Sequence, residues 1–239
     1  MPLIIHIETS ENICSVALSQ GQKLLSYRQS EGERSHASQL TMLIQEVLDS
    51  CNKNVNLLQA VSVSKGPGSY TGLRIGVSVA KGLCYGLNIP LIAVNTLEAL
   101  CYGASQREFL NKLKLDPGIT TLLCPMLDAR RMEVYRAFFN TNFEYEIETA
   151  AEIIEKYTYR DILDKNQVIF FGSGSGKIQD LVAHPNAFFI PEVFPKARYL
   201  VPFAYKAFVD SKFENTAYFE PYYLKDFVAT TSKKNVLIC

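Results

Sequence analysis

The two halves of the chain carry the same short pattern, and this repeat constrains the fold more than any other feature of the sequence. In the first half an apolar strand, Leu3 to Glu8, ends in an acidic residue and leads through a polar turn into the strand Cys14 to Ser19. In the second half Leu122 to Asp128 also ends in an acid, and Glu133 to Phe139 follows after a turn at Arg130-Arg131. Strands joined by short polar turns form antiparallel hairpins. The repeat therefore predicts a duplicated chain with two related lobes.

Helices and further strands follow the first hairpin. An apolar stripe at helical spacing runs from Leu40 to Cys51 and predicts a helix that starts near Ser35. The remaining predicted elements are the strands Lys23–Gln29, Ala60–Ser64 and Leu91–Val94, a helix Tyr70–Leu87, and a helix capped by Thr96. The order βββαβαβα predicts an α/β fold in which helices flank a mixed sheet.

The second half continues in a similar way after its own hairpin. The predicted elements are strands near Phe143–Ile147 and Val168–Phe171, helical segments between Ala150 and Asp164, and a helix Ala197–Lys212. A turn signal at Asp116-Pro117-Gly118 lies between the halves. We therefore assign an N-terminal lobe to residues 1–105 and a smaller C-terminal lobe to residues 106–239.

Composition narrows the possible functions. The 24 Lys and Arg residues balance the 24 Asp and Glu residues, which argues against bulk electrostatic binding of nucleic acid and favours a local patch or a partner. The first residues lack a basic flank, and no apolar run reaches the roughly 20 residues that a membrane span requires. The six cysteines contain no C-x-x-C pair and are expected to be reduced core residues. We expect a cytoplasmic protein that does not bind membranes.

The loop Lys65 to Gly76 joins a strand to a helix. It could present backbone N–H groups to an anion, or it could form a helix start that is shaped for close packing, and the second interpretation is favoured. The sequence matches neither a P-loop nor a nucleophile elbow. Small residues in the helix itself form two rows, Gly72-Gly76-Ala80 and Ser78-Gly82-Gly86, and glycine inside a helix needs a compensating close contact.

Candidate catalytic residues are few. His36 has Leu40 at i+4, where a helical metal site needs a second ligand. The glycine-rich segment Gly172 to Lys177 could hold a phosphate, but a plain turn is favoured. The pair Arg130-Arg131 could also contact phosphate, although a solvated turn is favoured. We expect no catalytic residue, no metal and no cofactor.

Several motifs resemble the bacterial TsaB family, also called YeaZ. The motifs are Ile7-Glu8-Thr9-Ser10, Arg34-Ser35-His36, Lys65 to Gly76, Thr96 to Leu100, Asp128 to Tyr135, and Pro221 to Asp226. The family usually has Asp where Glu8 stands. The resemblance implies an actin-like, Hsp70-like (ASKHA) duplicated fold. It also implies a non-catalytic platform role in forming threonylcarbamoyladenosine (t6A) at position 37 of tRNAs.

The resemblance further implies the partners. These are the catalytic subunit TsaD and the ATPase TsaE, with a homodimer when the chain is alone and tRNA bound only within the complex. Surplus apolar surface on the first two long helices predicts that they form the docking face. The predicted partner-binding residues are Leu40, Leu43, Ile44, Val47, Tyr70, Leu73, Gly76, Val77 and Ala80. The competing hypothesis is an enzyme, either an actin-fold nucleotide-dependent phosphotransferase that uses Glu8 and Asp128 or a glycopeptidase-like protein.

Overall fold

The computed structural model describes residues 1–30, 36–105 and 113–224, and the first of its two sheets has five strands. These strands are β1 (Leu3–Glu8), β2 (Ser15–Gln20), β3 (Lys23–Gln29), β4 (Ala60–Gly66) and β5 (Leu91–Asn95). Their order across the sheet is β3-β2-β1-β4-β5. The strands β1, β2 and β3 pair antiparallel, whereas β1, β4 and β5 pair parallel.

The second sheet repeats this arrangement. Its strands are β6 (Thr121–Asp128), β7 (Glu133–Phe139), β8 (Tyr145–Ile153), β9 (Gln167–Phe171) and β10 (Ala187–Ile190). Their order is β10-β9-β6-β7-β8, with β6, β7 and β8 antiparallel and β6, β9 and β10 parallel. An antiparallel meander followed by two parallel strands is therefore built twice. The predicted α/β, actin-like duplicated fold is confirmed.

Helices pack on both sheets. The described residues contain α1 (His36–Asp49), α2 (Tyr70–Leu87), α3 (Thr96–Ser105), α4 (Arg160–Leu163), α5 (Ser175–Ile178) and α6 (Val201–Val209), with 3-10 helices at Val55–Leu57 and Ala197–Leu200. Among the described residues, no helix is both long enough and apolar enough to cross a membrane. Arg34, Ser35, Lys225 and Asp226, which belong to the motifs named above, lie outside the described residues.

Two local predictions need correction. Asn95, and not Thr96, caps α3, because the Asn95 Oδ1 accepts hydrogen bonds from the backbone N–H groups of Leu97 at 2.8 Å and Glu98 at 3.3 Å. The helical segments expected between Ala150 and Asp164 are mostly absent, since β8 continues to Ile153 and only the short α4 follows. The strand is longer than predicted because its pairing with β7 continues to Ile153 opposite Glu133, and Arg136 on β7 adds bonds to Glu148 and Glu152 across the sheet.

The chain crosses between the two sheets more than once. Leu97, Leu100 and Cys101 of α3 pack in the core of the second sheet. Tyr199 and Leu200, which come after β10, return to pack against Ile4 of the first sheet. Segments near both ends of each half thus cross to the other sheet, and the division of the chain into residues 1–105 and 106–239 stays a prediction.

The central strand β1 is buried along its whole length. Ile5 and Ile7 face the core that contains α1 and α2, whereas Ile4 faces the core that contains α6. A strand covered on both faces reads as a continuous apolar run. The sequence Leu-Ile-Ile-His-Ile is of this kind, with His6 as its only interruption.

His6 is fully buried, and serines on the two neighbouring strands satisfy its ring. Its Nδ1 lies 2.9 Å from the Oγ of Ser62, and its Nε2 lies 2.8 Å from the Oγ of Ser19. The Ser19 hydroxyl donates to the carbonyl of Gly21 at 3.1 Å, so the network assigns the His6 proton to Nε2. Burial lowers the pKa of His6 to about 3. The neutral ring is therefore a structural group that links three strands.

We predict that this histidine makes the protein acid-sensitive. The unfolded chain binds a proton at His6 below about pH 6.5, whereas the folded chain does not bind it until about pH 3. Stability contributed by the neutral ring is thus present above pH 6.5 and is lost as the pH falls. Relative to a His6→Gln variant, the parent should lose about 2 kcal/mol of unfolding free energy between pH 7.5 and pH 5 in urea titrations. Parallel pH curves for the two proteins would contradict this assignment.

Candidate functional site

Eight of the nine residues predicted to bind a partner are buried inside the chain itself. Six of them lie in the core between the first sheet and the two long helices: Leu40, Leu43, Ile44, Val47, Val77 and Ala80. Leu73 is also buried, at 1% exposure, and Gly76 is buried beside Thr9. Tyr70 is half-buried, and its ring packs 4.9 Å from the ring of Tyr223.

The apolar stripe of α1 therefore faces the first sheet and not a partner. The sheet needs an apolar cover on this face, and α1 and α2 supply it together. Helical periodicity shows that a face is apolar but does not show what covers it. The eight buried residues are not available as an accessible docking surface.

The opposite sides of the two helices are open. We call Met42 of α1 and Ser78, Gly82, Tyr85 and Gly86 of α2 the outer helix face, because all five are exposed. Tyr85 is 89% exposed and Met42 is 61% exposed. A β-carbon at Gly82 or Gly86 would meet no other atom within 4 Å. The second row of small residues thus leaves the helix backbone accessible to a neighbouring molecule.

Sequence reasoning missed Tyr85 and Met42. In the sequence neither residue belongs to an apolar stripe, so both look like ordinary surface residues. The available signal was the row Ser78-Gly82-Gly86, since Tyr85 follows Ser78 by seven positions and lies on the same side of the helix.

The first row of small residues packs against the turn between β1 and β2. A β-carbon at Gly72 would overlap the carbonyl oxygen of Thr9, and one at Gly76 would overlap the Thr9 hydroxyl. Gly68 has φ +157° and lies directly against Ser10, whose carbonyl accepts a 2.6 Å hydrogen bond from the N–H of Ser69. The Ser69 hydroxyl then accepts from the N–H of Gly72 at 3.3 Å and caps α2. The favoured interpretation of this loop, a helix start shaped for packing, is confirmed.

The two glycine rows should therefore respond oppositely to the same substitution. Gly72→Ala should destabilise the protein by about 1–3 kcal/mol, because its methyl group overlaps backbone that cannot move aside. Gly82→Ala should stabilise the protein by about 0.5–1 kcal/mol, because an open helical position gains helix propensity without a clash. Urea unfolding of both variants beside the parent measures the two effects. A stabilising Gly72→Ala would show that the turn and α2 are not in close contact.

The β1–β2 turn also carries two buried carboxyl groups. Glu8 is fully buried, and its Oε1 accepts hydrogen bonds from the N–H of Ser10 at 2.7 Å and the hydroxyl of Ser64 at 2.8 Å. Burial raises the pKa of Glu8, although these hydrogen bonds oppose the shift. Glu11 is largely buried and accepts a short hydrogen bond from the hydroxyl of Ser173, which belongs to the loop after β9. The turn of the first lobe is thus tied to the second lobe.

The second hairpin turn is held by its own contacts. Lys177 pairs with the carboxylate of Asp128 and donates to the backbone carbonyl of Arg131 at 2.6 Å. The Asp128 Oδ1 also accepts a hydrogen bond from the backbone N–H of Arg130 at 2.5 Å. A phosphotransferase would need Glu8 and Asp128 to reach a hydrated metal ion between the lobes. Here Glu8 is fully buried and Asp128 forms an ion pair with the Lys177 ammonium group, so neither carboxylate suits that chemistry.

Glu11 should make the contact between the lobes sensitive to pH. Burial, together with the nearby charges of Glu8 and Asp128, raises the pKa of Glu11 to about 7. The folded protein therefore keeps the proton between about pH 4.5 and pH 7, and the stability it contributes is lost as the pH rises through 7. Relative to Glu11→Gln, the parent should lose about 2 kcal/mol of unfolding free energy between pH 5 and pH 8. The same pH dependence in both proteins would exclude Glu11 as its source.

A cleft of about 800 Å³ lies between the lobes. The ends of β4 and β5, the strand β8 and residues 214–223 surround it. Its charged lining residues are Glu98, Glu148, Glu214, Glu220 and Lys65. Burial raises the pKa of Glu98, and the charge of Glu148 raises it further. Four carboxylates against one lysine repel phosphate groups, so this cleft does not suit a nucleotide.

Known proteins resemble the chain over most of its length. A family model described as TsaD, tRNA N6-adenosine threonylcarbamoyltransferase, matches residues 29–233. The tRNA threonylcarbamoyladenosine biosynthesis protein TsaB of Escherichia coli (strain K12) is 27% identical over 236 residues, which are 95% of this chain and 96% of that protein. The TsaB protein of Bacillus subtilis (strain 168) is 33% identical over 136 residues, 57% of this chain and 54% of that protein.

Solved structures show the same fold. A crystal structure from Pseudomonas aeruginosa, described as an uncharacterized protein with similarity to peptidase YEAZ, has a TM-score of 0.76 and 25% identity and covers 94% of this chain and 100% of that chain. A structure of YeaZ from Pseudomonas aeruginosa has a TM-score of 0.74 and 24% identity, with the same coverage of the two chains. The chain therefore belongs to the TsaD family and, within it, to the TsaB (YeaZ) proteins.

Proposed function

We propose that this chain is a non-catalytic platform subunit that is required to form t6A at position 37 of tRNAs. It pairs with the catalytic subunit TsaD and acts with the ATPase TsaE in the cytoplasm. The E. coli and B. subtilis relatives are both named for the biosynthesis of threonylcarbamoyladenosine, which supports this role.

The outer helix face is the single observation that carries the proposal. An exposed tyrosine beside an open row of small residues offers an aromatic anchor together with close backbone approach, and tyrosine is among the residues that dominate binding energy at interfaces. The same face joins two copies of the chain when TsaD is absent, since a self-complementary helix face is a common dimer contact.

The contacts that the candidate catalytic groups make support the non-catalytic part of the proposal. Glu8 and Asp128 are engaged by Ser64 and Lys177 respectively. Of the histidines whose side chains are described, His6 is held by two serines, and His184 lies 3.2 Å from Asp164 and accepts from the N–H of Asn186. A peptidase would need a nucleophile and a base that a substrate can reach, whereas His6 and its two serines are fully buried. The enzyme alternatives therefore have less support than the platform role.

We predict that variants of the outer helix face weaken the pairing with TsaD. Tyr85→Ala should reduce the binding free energy by about 2 kcal/mol, which is the magnitude of an interface hot spot. Gly82→Leu should have a similar effect, because its added bulk blocks close approach while the exposed position tolerates leucine. Titration of each variant against TsaD from the same cell, with circular dichroism to confirm folding, measures the change.

Tyr218→Ala is the matched control, because this tyrosine is 84% exposed but lies at the cleft between the lobes. The control should bind TsaD as the parent does. Folded variants of the outer helix face that also bind like the parent would place the interface elsewhere. Reconstitution of t6A formation with TsaD and TsaE, with and without this chain, tests the platform role itself. Transfer of the threonylcarbamoyl group by this chain without TsaD would contradict it.

A further inference from the structure

The turn between β6 and β7 has an unusual backbone. Arg130 has φ +70° and Arg131 has φ +50°, so two consecutive arginines adopt the left-handed conformation. Residues other than glycine and asparagine rarely adopt it, and β-turns of this type ordinarily contain Asn-Gly or Asp-Gly. Both arginine side chains are exposed. The turn therefore presents two cationic side chains at positions where smaller residues would fit the backbone better.

Contacts on the inner side of the turn fix it in place. The N–H of Ala129 donates to the carbonyl of Glu133 at 3.1 Å, and the N–H of Glu133 donates to the carbonyl of Arg130 at 3.2 Å. Lys177 also holds the turn, because its ammonium group donates to the carbonyl of Arg131 and pairs with the carboxylate of Asp128. Among the described residues, the Asp128 carboxylate forms its ion pair with Lys177 and not with either arginine.

A second segment with cationic side chains follows the strand that pairs with β7. The N–H of Ile154 donates to the carbonyl of Met132 at 2.8 Å, which places Ile154 beside the residue that follows the two arginines. Tyr157 follows Ile154 by three residues, so it lies within about 10 Å of it. Its ring is 63% exposed and has the Lys156 ammonium 5.5 Å and the Arg160 guanidinium 5.7 Å from its centre.

We call Arg130, Arg131, Lys156, Tyr157 and Arg160 the basic tip. None of its four cations takes part in an ion pair among the described residues. Two exposed carboxylates, Glu155 and Asp161, balance Lys156 and Arg160, so the excess of positive charge comes from Arg130 and Arg131. This agrees with a protein of zero net charge that contacts a polyanion through a small patch.

We propose that the basic tip is the surface with which this chain contacts RNA, an inference that rests on the proposed function in tRNA modification. Arginine guanidinium groups match the geometry of phosphate and bind it with two parallel hydrogen bonds. The exposed Tyr157 side chain, with two cations over its ring, adds an aromatic and cationic contact for an unpaired base. Phosphate contact and stacking together distinguish RNA from an acidic protein partner, which has no base to stack.

The variants that test this surface are Arg130→Gln with Arg131→Gln, and Tyr157→Ala. The matched control is Lys23→Gln with Arg28→Gln, which removes the same charge from exposed positions on β3 of the other sheet. For each protein, tRNA affinity is measured with the chain in complex with TsaD at about 150 mM salt. It is also measured with the isolated full chain over a salt series that starts near 50 mM.

The double arginine variant should lose about tenfold in tRNA affinity, and the slope of log affinity against log salt should decrease by about 1.5 to 2. Tyr157→Ala should lose at least about fivefold and keep the salt slope. The control should stay within about twofold of the parent. Pairing with TsaD should be unchanged in every variant.

Equal losses in the control and the double arginine variant would overturn the proposal, because net charge alone would explain them. Parent-like tRNA binding by the tip variants would overturn it too. If the tip variants instead lose TsaD, the basic tip is a protein contact and not an RNA surface. If the parent fails to form the complex with TsaD, the proposed function is wrong, and the salt series on the isolated chain still decides whether the basic tip binds tRNA.

Discussion

The contact between the β1–β2 turn and the glycines of α2 determines much of the remaining structure. The backbone of Ser10 and Thr9 lies directly on Gly68 and Gly72, and the Thr9 side chain lies on Gly76, with no room for a β-carbon at these glycines. This contact fixes the start of α2 over the carboxyl end of β1. Because one row of small residues is used in this way, the opposite row at Gly82 and Gly86 faces outward and stays open.

The same contact explains why the first lobe does not resemble a phosphate-binding lobe in its chemistry. A hairpin that holds phosphate must offer free backbone N–H groups and space for the anion. Here the N–H of Ser10 is bonded to Glu8 and the turn is covered by α2. Glu11 adds a carboxyl group whose pKa is raised to about 7 by burial and by Glu8 and Asp128. The actin-like arrangement of strands is thus retained, while Glu11 at the first hairpin joins the two lobes through Ser173.

The sequence alone predicts the order of the first elements along the chain and the duplication well but predicts surfaces poorly. The alternation of apolar strands, acids and turns determines the hairpins, and the bounds of β1, β3, β7 and α2 agree with the predictions. The stripe from Leu40 to Val47 predicts a contact with a partner, yet the first sheet covers it. Periodicity cannot separate these outcomes, because the cover comes from strands distant in the sequence. Likewise, the return of Tyr199 and Leu200 to the first sheet depends on long-range packing that no local pattern records.

The locations of the two proposed surfaces allow one chain to contact a protein and an RNA at the same time. The outer helix face belongs to helices on the first sheet, whereas the basic tip lies at the β6–β7 turn of the second sheet. Their chemistry also differs, since one is apolar with an open backbone and the other has two exposed arginines and a tyrosine with two cations over its ring. Salt weakens contacts to phosphate far more than it weakens apolar burial. Raising the salt concentration should therefore separate the two contacts, releasing RNA from the complex before the protein subunits part.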